Sequence, residues 1–156
     1  MKRLVLRDNI YQVEVLVYLC TPAELKKELT EEFQLDIAKV DARFDSGSWD
    51  GYCFHVTCTD GSYYVILAIN SQVRKENIVI TVTHEVMHAT FNALSHVGVV
   101  FDPNNQEPVT YYNGWLNSQV LEFVQRELKK KSKRQQRNNR SPHTIKNAHS
   151  DPTGQP

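Results

Sequence analysis

From residue 10 to 19 the chain reads IYQVEVLVYL, with Tyr11, Val13, Val15 and Val17 at every second position. That period predicts a strand, and its high apolar content predicts one internal to a sheet. Residues 3–7 (RLVLR) offer a short strand or a frayed lead-in. The pattern then changes. Thr21-Pro22-Ala23-Glu24 supplies an N-cap, a proline at the first helical position and a reciprocal glutamate, so a helix is expected through AELKKELTEEF. Leu25, Leu29 and Phe33 would form its buried face, and its Lys/Glu run a solvated one.

Residues 45–51 (DSGSWDG) are rich in turn formers. YCFHVTC and SYYVILAIN follow, with Thr59-Asp60-Gly61 between them, which predicts a β-hairpin. His55 lies on its first strand and reads as a half-exposed strand histidine. Beyond the polar connector SQVRKEN, the segment IVITVTHEVMHATFNALSHVG has mixed propensity. Its spacing decides for a helix over 78–96, with Val79, Val82, Val86, Ala89 and Ala93 as one stripe. Met87, Phe91 and Leu94 widen the apolar surface, Asn77 can cap the start and Gly98 can close the end. A second long helix is expected from Pro108, with Val109, Tyr112, Leu116, Val120, Phe123, Val124 and Leu128 along one face and Gly114 as a local cost. From about residue 131 the chain becomes polar and basic, with too little apolar surface to fold alone.

These elements predict an α+β domain over 1–130 and a disordered basic tail over 131–156. Composition changes one part of that picture. The formal net charge of zero divides into +7 on residues 129–156 and −7 on the remainder. A cationic tail of this size gives salt-sensitive, sequence-independent contact with nucleic acid at most, and a solubilising tail is the plainer reading. Cys20, Cys53 and Cys58 are odd in number and form no C-x-x-C, which speaks against a disulfide framework or a cysteine zinc site and for a reducing compartment. No apolar run reaches the ~18 residues of a membrane span. The first twenty residues lack a signal peptide's unbroken apolar stretch, so a cytoplasmic protein is expected.

The candidate chemistry lies in THEVMHATF, residues 83–91. On a helix, His84 and His88 share a face and can aim two ring nitrogens at one metal ion. Glu85 is rotated by roughly 100° from His84, out of the ligand shell but near a metal-bound water. This is the physical content of H-E-x-x-H: two Zn²⁺ ligands and a general base on one rigid element. A catalytic zinc needs a third protein ligand. Phe91 and Leu94 occupy the glycine and third-histidine positions of the longer three-histidine motif, which excludes it. His96 falls off the ligand face by roughly 80°. Asp102 lies in the connector. Glu107 opens the next helix nineteen residues after His88, where a helix folded back antiparallel could deliver it.

HEVMH followed by Asn105-Gln106-Glu107-Pro108-Val109-Thr110-Tyr111 resembles the gluzincin class of zinc metallopeptidases, and in particular short phage and prophage proteins of that arrangement. The similarity covers roughly residues 62–125. It implies a minimal zincin: a small mixed or antiparallel sheet packed on the H-E-x-x-H helix, and a second helix supplying a ligand. It further implies Zn²⁺ on His84, His88 and Glu107, Glu85 as general base, and a peptide or protein substrate laid as a strand along the edge of the 62–70 strand. Thermolysin-like gluzincins carry an acid four residues after the ligand glutamate, where this chain has Tyr111, and no clear counterpart of their transition-state histidine is present. Tyr111 could donate its hydroxyl to the oxyanion; packing is the alternative role. Tyr112 belongs to the apolar stripe, and Trp115 suits core or cleft. An amidase acting on a non-peptide substrate would use the same groups. A metal-stabilised binding protein with a nucleic-acid-contacting tail is the non-catalytic alternative.

Overall fold

The protein was analysed as a computed structural model, which describes residues 1–35 and 49–140, with the side chains of 138–140 left aside. Four strands form one mixed sheet: β1 (Lys2–Arg7), β2 (Glu14–Cys20), β3 (Gly51–Thr57) and β4 (Tyr63–Asn70). Their spatial order is β1-β2-β4-β3. The outer pairs are antiparallel and the central β2–β4 pair is parallel, with Val15 opposite Val65 and Val17 opposite Leu67. Among the described residues three α-helices accompany the sheet: α1 (Pro22–Phe33), α2 (Ile78–His96) and α3 (Glu107–Arg140). Among the described residues no helix is long and apolar enough to cross a membrane.

Alternation within the two central strands builds a core on each face of the sheet. Val15, Val17, Leu19, Val65, Leu67 and Ile69 face α2 and α3, while Leu16, Tyr18, Cys20, Ile66 and Ala68 face α1 through Leu25 and Leu29. Both strands are covered on both sides, which explains the continuous apolar run of β2. Local chemistry closes each element. Thr21 and Glu24 form the expected capping box. Gly61 turns the β3–β4 hairpin at φ 86°, a conformation glycine adopts without steric cost. At the end of α2, Gly98 donates to Ser95 and Val99 to Leu94, with Gly98 at φ 79°, a Schellman closure. Asn77 does not cap α2 with its side chain; it reaches Asp50 instead, at 3.2 Å.

Three expectations need correction. The buried stripe of α2 starts at Ile78, and Val79 is 53% exposed. Both are apolar neighbours, and a 3₁₀ turn over Lys75–Asn77 sets which one enters the core. Met87 and Phe91 also stay more than a third exposed. The strand over 62–70 has no free edge: β4 is paired to β2 on one side and β3 on the other, so a substrate strand cannot add there. Among the described residues the sheet ends at β1 and β3. Finally, α3 continues to Arg140, so residues 131–140 are helical. Side chains over 131–137 are almost all exposed, as their composition demands, and the packed turns before them supply the nucleus from which Lys, Arg and Gln propagate. The rest of the expected tail, 141–156, lies outside the described residues, as does most of the turn-rich stretch 45–51.

Candidate metal centre

α2 packs its inner side on the sheet and on α3, leaving His84 and His88 exposed on the outer side. Their Nε2 atoms lie 3.1 Å apart, with the rings close to perpendicular at 77°. Two ligands at ~2.0–2.1 Å on a tetrahedral zinc ion stand roughly 3.3–3.4 Å apart. The pair thus fits two corners of such a site with a shift of a few tenths of an ångström.

Glu85 points the other way and is 7% exposed. It lies beneath β3: a Cβ on Gly51 would come within 2.5 Å of its Cγ and 2.8 Å of the Thr81 methyl. Glycine at 51 is therefore what lets the edge strand pass this closely over the helix. Burial pushes the Glu85 carboxyl above its ordinary range, opposed by the neighbouring His84. Glu85 in turn adds to the rise of the Cys53 thiol, which burial causes in the main.

Further along the same helix, His96 does not join the pair. Its ring stacks on Tyr63 at 3.6 Å, nearly parallel at 2°. His55 stacks on the same Tyr63, at 5.4 Å. Tyr63 donates to the Asn92 carbonyl at 3.0 Å, and His55 Nδ1 meets Asn92 Oδ1 at 3.3 Å. Asn92, one turn beyond His88, thus ties β3 and β4 to α2. Its spacing from His88 is a helical repeat that sequence reading passed over.

The expected third ligand sits elsewhere. Glu107 is exposed at the start of α3 and lines a cleft with Tyr111 and the β1–β2 turn. Among the described residues no three His, Cys, Asp or Glu side chains gather as a group that could hold a metal ion. The helix register explains this. Asn113 of α3 contacts Thr90 and Met87 of α2, while Lys131 reaches Ser71, which precedes α2, so the helices run antiparallel. Glu107 precedes Asn113 by six residues, about 9 Å of helix rise, and lies toward the far end of α2 from His84. Asp102 is engaged in its own loop, accepting from the Asn104 backbone and side chain at 2.8 and 3.0 Å. Tyr111 is 75% exposed. Tyr112 is core, as expected, and Trp115 is half-buried against it at 5.5 Å.

No family model, no curated protein and no solved structure matches the chain.

Proposed function

We propose that the chain is a zinc-dependent peptidase in which His84 and His88 hold the metal, Glu107 supplies the third ligand and Glu85 is the general base. One observation carries the reading: two exposed imidazole nitrogens 3.1 Å apart on one face of a rigid helix. The residue between them and the sheet supports it. Glu85 is a buried carboxyl with a raised proton affinity, and a base is most effective when its pKa approaches the working pH. Zn²⁺, when bound, supplies a Lewis acid and a water that ionises near neutrality. The protein's share would be to fix the two imidazoles on α2 and to hold Glu85 dry under Gly51 until a side-chain rotation brings its carboxyl to the histidine face, where it could take a proton from water and pass it to the departing amine. Glu107 joins the ligand set in this proposal through a rearrangement of the 97–106 connector on metal binding, and Tyr111, one turn later, follows it as the hydroxyl donor.

Zinc content of the purified chain, read beside turnover of a peptide library, tests this. Glu85→Gln should keep the metal and lose about 10²-fold or more in turnover. A variant with zinc bound and turnover intact would remove Glu85 from the mechanism.

A further inference from the structure

A cleft of about 640 Å³ opens between the β1–β2 turn and the first turns of α3, within the size range of small-molecule sites. Its walls are aromatic. Tyr112 stands between Tyr11, edge-on at 5.8 Å, and Trp115 at 5.5 Å. At its mouth Ile10 and Tyr111 are 80% and 75% exposed, a large apolar surface for two residues of one groove.

Polar atoms among these aromatic walls are incompletely used. Asp8 Oδ1 accepts the backbone N–H of Ile10 at 2.8 Å and that of Tyr11, which holds the turn. Asp8 Oδ2 is buried and has no hydrogen-bond partner among the described residues, and neither has the Tyr112 hydroxyl. Both residues line the cleft and are more than nine-tenths buried, at 9% and 5% exposed. A buried carboxylate oxygen without a donor is rare and calls for one. Arg7, which also lines the cleft, is turned to Glu14 at 3.8 Å. Glu107 adds a second carboxylate to the rim. Burial, with Asp8 beside it, holds the Tyr112 hydroxyl protonated well above the ordinary tyrosine range, as expected next to negative charge.

We propose that this cleft binds an organic cation bearing N–H donors, an ammonium or a guanidinium, with an N–H on Asp8 Oδ2 and the charge held against the Tyr112 and Trp115 rings. A charged donor makes the stronger kind of hydrogen bond to a carboxylate, and aromatic faces attract it further. An anion would meet two carboxylates, and a purely apolar ligand would leave Asp8 Oδ2 as it is. Neither metal nor histidine takes part; the cleft shares Glu107 and Tyr111 with the peptidase reading, and a binding test on metal-free protein keeps the failure of one distinct from the failure of the other.

Isothermal titration calorimetry on the full chain, stripped of metal with a chelator, tests it with three probes: agmatine, the peptide Ala-Arg-Ala with blocked ends, and its neutral citrulline counterpart. Saturable binding of agmatine, or of agmatine and the arginine peptide, at least tenfold tighter than the citrulline peptide is expected. Agmatine alone identifies a free amine as the ligand, and both together identify a basic side chain. Asp8→Asn keeps the Oδ1 acceptor of the turn and should weaken binding at least tenfold; Tyr111→Ala, at an exposed position, should weaken it severalfold even if the first variant folds poorly. No saturable heat from either cation, equal affinity for the citrulline peptide, or full affinity in both variants overturns the proposal.

Discussion

Asn113 of α3 donates its side-chain amide to the hydroxyl of Thr90 on α2, at 3.2 Å. Thr90 is fully buried and its hydroxyl donates to the Val86 carbonyl at 2.8 Å. This polar link joins α3 to the helix that carries the histidine pair.

Its strength is open to a double-mutant cycle. Asn113→Ala and Thr90→Val should each lower stability by about 1 kcal/mol. Chemical denaturation of the two single variants and the double variant should give a coupling of about 0.5–1.5 kcal/mol. Additive effects would show that the register is held by the apolar stripe alone.

Metal retention separates the ligands. His84→Ala and His88→Ala should each abolish stoichiometric zinc in the purified chain, because each leaves a single imidazole. Glu107→Ala should weaken retention against a competing chelator. Full retention would pass the third-ligand role to Asp102 or His96, and the stacking of His96 on Tyr63 then makes Asp102 the next variant to make.

Gly51→Ala should be costly although its backbone tolerates the change. The added methyl meets Glu85 Cγ at 2.5 Å, so β3 or the Glu85 side chain must shift. Overpacking of this kind costs about 1–3 kcal/mol, read as a fall in thermal midpoint of roughly 2–4 °C per kcal/mol. If Glu85 is the base, turnover should fall further than the stability change explains. A midpoint equal to wild type would show that the strand yields freely.

Alkaline stability carries the mark of Tyr63. An unfolded tyrosine loses its proton near pH 10. In the fold, burial chiefly, with Cys53 adding to it, raises Tyr63 to about 12. Between those values the unfolded chain releases a proton that the folded chain keeps, so stability falls as pH rises from about 10 to about 12 and is unaffected below. Thermal midpoints of Tyr63→Phe should fall less steeply than wild type across that window. Parallel curves would assign the alkaline loss to Tyr18 and Tyr112, which burial also raises.

Sequence reading succeeded where the determinants are local. The Thr21–Glu24 box, the Gly61 turn and the 78–96 helix each rest on residues a few positions apart, and all three are present. The convergence of His84 and His88 follows from the same short-range geometry. It failed where the outcome depends on elements meeting at a distance. The parallel β2–β4 pairing has no local signature, and the free edge at 62–70 is implied only by the family resemblance, which the pairing of β4 on both sides overturns. The place of Glu107 depends on the α2–α3 register, to which the apolar seam and the Asn113–Thr90 hydrogen bond both contribute. Asp8 carries no signal of its own in the sequence. The isolation of its second oxygen arises only when α3 lays Tyr112 and Trp115 over the turn.

The strand order has a kinetic consequence. β1–β2 and β3–β4 are two hairpins, each closed by a short loop, and they meet only along the parallel seam between β2 and β4. Hairpins form in roughly microseconds, whereas pairing across some fifty residues must first meet a larger closure entropy. The seam is thus expected to close last. Until it does, each half presents one bare, strongly apolar strand, and those two strands are the ones a crowded refolding mixture would join between chains.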